Sequence, residues 1–196
     1  DIEKKNNQTS IYVNGKKELK SVNINVPSDL SSSAFFIVAA LINKGSKINL
    51  NNININPTRD GLLKALKKMG AKISIKNQRT VSEEIVADLE VEYSNLVGCE
   101  LDAEMAKFMI DEYPILSIAA AFAKGTSIFR GLKELKVKES DRLELIRLNL
   151  VNCGCDCKIK NDDLIIKPSE VYITKNNKIR TDFDHRIAMS FAVMGS

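Results

Sequence analysis

Nine residues, Glu134 to Arg142 (ELKVKESDR), set Lys136, Lys138 and Arg142 among Glu134, Glu139 and Asp141. Cations so placed suit a phosphate or carboxylate, because an arginine fork grips two anionic oxygens at once. Comparable polar clusters occur at 27–36 (PSDLSSSAFF), 56–66 (NPTRDGLLKAL) and 184–186 (DHR), and Asp111 lies within MIDEYP. All fall at expected helix starts, where unpaired N–H groups and a partial positive charge favour a bound anion. If the units carrying them pack side by side, Lys138, Arg142 and Arg186 converge at one end of the domain. Each feature also has a plain structural reading. Asp29, Asp111 and Asp184 are suited to N-capping. Pro57-Thr58 is a helix-start signal. Lys138 and Arg142, at i and i+4, suit a solvated helix face partnered by Glu139 and Asp141. His185 suits a structural role. Charge density alone leaves both readings open.

The elements that must position these groups follow from an internal repeat. AALINKGSKI at 39–48 is echoed by AAAFAKGTSI at 119–128, and LLKALKKMGAKISI at 62–75 by LIRLNLVNCGCDCKI at 145–159. Gly45 then matches Gly125, and Gly70 matches Gly154. Each copy reads as an apolar helix (about 30–44 and 111–124) ending at Lys-Gly, where glycine suits the left-handed C′ position. A β-branched strand follows (46–53 and 126–130), then an amphipathic helix (58–69 and 138–152) and two short strands (71–76 with 83–89, 155–160 with 163–167). In cyclic order this is a βαβαββ unit and an α/β fold. The first helices, SAFFIVAALI and ILSIAAAFA, are apolar on every side and are expected to be buried on every side. A third copy begins at Asp184 with DHRIAMSFAVMG and stops at Ser196, so the expectation is a unit that is truncated or completed by another segment. Before the first copy, TSIYVNGKKELKSVNINV predicts two strands about the Asn14-Gly15 turn, as the end of an earlier unit.

Composition narrows the class. The chain has 196 residues, 44% hydrophobic and 28% charged, which is ordinary for a globular protein. A net charge of +4 suits a small anionic ligand and is too weak to argue for nucleic acid. No apolar run approaches the roughly 20 residues needed to span a bilayer, and the first residues carry no apolar signal core. A cytoplasmic location, without a membrane partner, is therefore expected. Cys153, Cys155 and Cys157 form C-x-C-x-C, a spacing open to a metal or disulfide reading. The repeat places them where Met69, Ala71 and Ile73 stand in the first copy, which favours small apolar core residues.

The stretches VPSDLSSSAFFIVAALI, NPTRDGLLKALKKMGA, IDEYPILSIAAAFAKGTSIFRGLKELKVKESDR and DHRIAMSFAV, in this order over residues 26–195, resemble the 5-enolpyruvylshikimate-3-phosphate (EPSP) synthase family. The resemblance implies a two-domain enzyme, with three βαβαββ units around buried helices in each domain and the substrates bound between them. Residues 1–26 would end the first domain, and 27–196 would supply two units and the start of a third in the second. The missing partners would be the N-terminal domain and the C-terminal remainder, and the isolated chain would be an incomplete catalyst. The implied reaction moves enolpyruvyl from phosphoenolpyruvate to the 5-hydroxyl of shikimate 3-phosphate and releases phosphate. Carried over by motif, Asp111 would be base or orienter of that hydroxyl. Lys138 would contact shikimate 3-phosphate and share in proton transfer, and Glu139 would protonate the methylene carbon. Arg142 and Arg186 would clamp phosphoenolpyruvate with His185 in support, and Glu134 would face shikimate 3-phosphate. No metal or organic cofactor is implied. Ser28 departs from the family, which often has glycine there, near the interdomain hinge.

Three other readings compete. The sister enolpyruvyl transferase of cell-wall synthesis shares the fold but matches KVKESDR and DHRIAM less well. The second is a non-catalytic basic module binding RNA or another polyanion, a reading prompted by RNA 3′-phosphate cyclase, which is built from related repeats. With 7 Phe, 4 Tyr and no Trp, this chain has no aromatic-basic interleaving of the kind that stacks bases. A purely structural fragment without binding is the third.

Overall fold

The computed structural model describes residues 2–6, 8–16, 18–167 and 177–196. It opens with an exposed antiparallel hairpin, β1 (Ile2–Lys5) and β2 (Gln8–Ile11). The expected hairpin about Asn14-Gly15 does not form. Residues 12–16 and 18–27 are without helix or strand and, apart from the half-buried Pro27, exposed. Lys17 lies outside the described residues. Thr9–Ile11, expected to pair across the Asn14-Gly15 turn, pairs instead with the preceding strand β1.

Two copies of one pattern follow. In the first, Ser28 bridges Ile53 in parallel. Helix α1 (Leu30–Ile42), strand β3 (Lys47–Asn54), helix α2 (Gly61–Lys68) and strands β4 (Lys72–Val81) and β5 (Glu84–Glu92) come next. In the second, β6 (Glu100–Leu101) precedes a short helix α3 (Ala106–Met109), then α4 (Tyr113–Ala121), β7 (Ser127–Phe129), α5 (Arg142–Asn152), β8 (Asp156–Lys160) and β9 (Asp163–Lys167). Strand orders are β3-β5-β4 and β6-β7-β9-β8, so the last strand of each copy lies between its two predecessors. In both, the segment before the inner helix pairs in parallel with the strand after it, and the other pairings are antiparallel. This is the expected α/β arrangement of βαβαββ units. Helix α6 (His185–Met194) opens the third copy.

The inner helices α1, α4 and α6 pack on one another. All nine residues of α4 are buried, as its apolar sequence requires. α1 is less enclosed, with Phe36 64% exposed. α6 buries only Ile187, Ser190, Phe191 and Met194, a single i, i+3, i+4, i+7 stripe. The glycines divide by position. Gly70 and Gly154 follow directly on the caps of α2 and α5 with φ of 84° and 86°, and so take the C′ placement that was expected of Gly45 and Gly125. Gly45 and Gly125 also have positive φ, but stand two and three residues beyond the caps Asn43 and Phe122. All four cysteines are buried thiols, with Cys153, Cys155 and Cys157 packed into the main core. No helix of the described residues is long and apolar enough to cross a membrane.

Candidate active site

The outer helix of the second copy starts later than its sequence suggests, and this builds the site. The segment Lys133–Val137 is a 3₁₀ turn, Lys138 is extended (φ −82°, ψ −155°), and α5 begins at Arg142. Asp141 is its N-cap, accepting from the Glu144 amide at 3.0 Å. Lys138 and Arg142 therefore do not share a solvated helix face. The Arg142 side chain is wholly buried, whereas Glu139 remains 56% exposed.

Arg142 ties three segments together. Its Nε donates to Asp184 Oδ2 at 2.8 Å and its Nη1 to Asp111 Oδ1 at 2.9 Å. Glu139 Oε2 pairs with Nη2 at 2.5 Å. Asp184 is fully buried and has two tasks. It caps α6 by accepting from the Arg186 amide at 2.9 Å, and its other oxygen accepts from Ser140 Oγ at 2.9 Å as well as from Arg142. Burial opposes its ionisation, but the bonds from Arg142 and Ser140 outweigh burial and hold its carboxyl below the usual aspartate range.

Asp111 is not the N-cap its sequence suggests. It sits in the 3₁₀ turn Ile110–Glu112 ahead of α4, whose cap position is Glu112. Its Oδ1 lies 3.4 Å from Lys138 Nζ as well as 2.9 Å from Arg142. Burial raises its pKa, but the charges of Lys138, Arg186 and Arg142 and the Lys138 hydrogen bond prevail, so it stays ionised below the ordinary range. Arg186, on the first turn of α6, reaches back across the inner helices. Its Nη1 donates to Ser31 Oγ at 2.8 Å and to the Asp111 carbonyl at 3.2 Å.

The structure thus brings Asp111, Lys138, Glu139, Arg142 and Arg186 together from three separate segments. Glu134 and His185 are exposed and, among the described residues, make no hydrogen bond or ion pair with this cluster. Sequence reasoning did not select Ser31, Glu112 or Ser140, and gave Asp184 only a capping role. The signals were present: Ser31 lies in the serine run after the Asp29 cap, and Glu112 directly follows Asp111. Chemically, the cluster offers cationic nitrogens beside one ionised and one exposed carboxylate, an arrangement suited to holding an anion next to groups that can move a proton.

The family model for EPSP synthase (3-phosphoshikimate 1-carboxyvinyltransferase) matches residues 1–196. Curated proteins named 3-phosphoshikimate 1-carboxyvinyltransferase are similar throughout. That of Paramagnetospirillum magneticum is 48% identical over 186 residues, covering 95% of this chain and 42% of the relative. That of Legionella pneumophila (strain Paris) is 41% identical over 187 residues, with the same coverage of 95% and 42%. The solved EPSP synthase of Acinetobacter baumannii superposes with a TM-score of 0.89 at 39% identity, over 100% of this chain and 45% of that one. The enolpyruvyl transferase NikO of Streptomyces tendae shares the fold alone, with a TM-score of 0.57 at 13% identity over 87% of this chain and 36% of that one. The chain spans about two fifths of the length of the curated relatives it matches, 42% in the first case. Its repeated βαβαββ units, the cluster joining KVKESDR to Asp111 and DHR, and a family match from end to end agree: this chain belongs to the EPSP synthase family.

Proposed function

We propose that this chain forms one wall of the active site of a 3-phosphoshikimate 1-carboxyvinyltransferase, which transfers enolpyruvyl from phosphoenolpyruvate to the 5-hydroxyl of shikimate 3-phosphate. The observation that carries the reading is the convergence of Lys138, Arg142 and Arg186 on the side chain or carbonyl of Asp111, within 3.4, 2.9 and 3.2 Å. In this reading the hydroxyl oxygen bonds to the enol carbon that carries phosphate, while the methylene carbon takes a proton. Return of that proton expels phosphate and restores the double bond. Asp111, held ionised by its cationic neighbours, orients or deprotonates the hydroxyl. Glu139 serves the methylene carbon, and Lys138 beside it contacts the shikimate phosphate and shares in the proton transfer. Arg186, which keeps part of its exposure, holds phosphoenolpyruvate together with Arg142. Glu134 and His185 complete the rim.

Residues 1–26 belong, in the same reading, to the end of a preceding domain, and 27–196 to the second domain. The remainder of the longer protein supplies the opposite wall. Four buried thiols fit a reducing compartment such as the cytoplasm.

Phosphate release by the full-length protein tests the reaction. Release is expected from phosphoenolpyruvate only when shikimate 3-phosphate is also present. No release with both, or equal release from phosphoenolpyruvate alone, contradicts it.

A further inference from the structure

Beneath the cluster lies a second, buried set of groups that the reaction does not use. Glu112 is 7% exposed and Ser31 is 3% exposed, although one ends a 3₁₀ turn before α4 and the other opens α1. The Ser31 hydroxyl donates to Glu112 Oε1 and accepts from Arg186 Nη1 at 2.8 Å. The same Nη1 donates to the carbonyl of Asp111, the residue before Glu112, at 3.2 Å, and lies 3.8 Å from Glu112 Oε1. One nitrogen of Arg186 is thus held from two sides, by Ser31 of α1 and by the turn Ile110–Glu112, while its Nε and Nη2 have no hydrogen bond among the described residues. The Arg186 side chain retains 18% of its exposure, so it lies at the edge of this buried set.

We propose that Glu112, acting through the Ser31 hydroxyl, is a positioning residue that fixes the Arg186 guanidinium so that its remaining nitrogens meet the anionic groups of phosphoenolpyruvate. The proposal rests on the functional reading above. The physical basis is the donor and acceptor inventory. A guanidinium only donates and an ionised carboxylate only accepts, so a hydroxyl between them has one arrangement: proton toward Glu112, lone pair toward Arg186. Removing the carboxylate charge removes that uniqueness, because an amide in its place can donate to Ser31 and compete with Arg186. Removing the hydroxyl leaves a gap of 3.8 Å between Nη1 and Oε1, beyond hydrogen-bond reach. The charged groups about Glu112 are Arg186, Asp111 and Arg59. Burial pushes its carboxyl up, and the Ser31 bond and the Arg186 charge oppose the rise.

Steady-state kinetics of the full-length protein provide the test, with Ser31→Ala, Ser31→Thr, Glu112→Gln and Arg186→Ala compared. Ser31→Ala and Glu112→Gln are expected to raise KM for phosphoenolpyruvate about tenfold, the scale of one hydrogen bond to a charged group. Their kcat is expected to stay within about twofold, and KM for shikimate 3-phosphate to remain unchanged. Ser31→Thr, which keeps the hydroxyl, is expected to restore KM. In an Arg186→Ala background, Ser31→Ala is expected to add nothing, because the two act as one unit. If Arg186→Ala raises KM while Ser31→Ala and Glu112→Gln do not, the positioning proposal is overturned and the site stands. If Arg186→Ala itself leaves KM unchanged, the reading of the site fails instead. Should Ser31→Ala not fold, Glu112→Gln and Ser31→Thr decide by the same criteria.

Discussion

Glu139→Gln in the full-length protein is expected to lower kcat by about 10²- to 10⁴-fold, the usual contribution of a positioned proton-transfer group, with KM for both substrates little changed. Glutamine keeps the shape and an acceptor oxygen but has no acidic proton to deliver. The structure separates this role from a structural one. Asp184 is sealed, with both oxygens engaged, whereas Glu139 is more than half exposed and, among the described residues, makes one ion pair, to Arg142. Because that partner is also held by Asp111 and Asp184, the substitution leaves the cluster assembled. Thermal stability is accordingly expected to match the parent, which assigns a loss of turnover to chemistry. A kcat within about threefold of the parent contradicts the role.

Asp184→Ala is expected to destabilise the protein by about 3–5 kcal/mol, as removal of one partner from a buried ion pair does. The substitution leaves Arg142, whose side chain has no exposure, with Asp111 and Glu139 but without its fully buried partner, and it also removes the cap of α6, so the two losses arise at one carboxylate and do not add as independent terms. The pH dependence has a definite sign. Burial disfavours the Asp184 anion, but the Arg142 and Ser140 bonds outweigh it and depress the folded pKa. Asp184 therefore contributes stability above the unfolded aspartate range, near 4, and that contribution is lost as pH falls through the lower folded value. Urea unfolding of parent and variant at neutral pH and across this acid window measures both effects. The difference between them should narrow on acidification. A neutral-pH cost below about 1 kcal/mol contradicts the account.

Much of this arrangement was legible in the chain. The repeat is carried by apolar helices and by glycines whose φ is positive, and both features express backbone and burial preferences that act locally. The site was legible where one residue's identity sufficed, as for the cap Asp29, which accepts from the Ser32 amide at 2.7 Å. It was not legible where helix phase decided. Reading 138–152 as helical made Lys138 and Arg142 neighbours on a wet face. In the structure the chain stays extended at Lys138, and Arg142 starts the helix facing inward to carboxylates 31 and 42 residues away. The pairing of Ser31 with Glu112, 81 residues apart, is likewise set by the packing of α1 against α4 and has no local signature. The Asn14-Gly15 turn failed for the opposite reason: a strong local preference lost to the pairing of Thr9–Ile11 with the strand before it.

The central claim is that Asp111, Lys138, Glu139, Arg142 and Arg186 together face the reacting substrates. A crystal structure of the full-length protein with both substrates bound measures this most directly. Anionic oxygens of phosphoenolpyruvate are expected at hydrogen-bond distance, about 3 Å, from Arg186, with the shikimate 5-hydroxyl equally close to Asp111. Substrates bound elsewhere, with this cluster facing only solvent or protein, would contradict it.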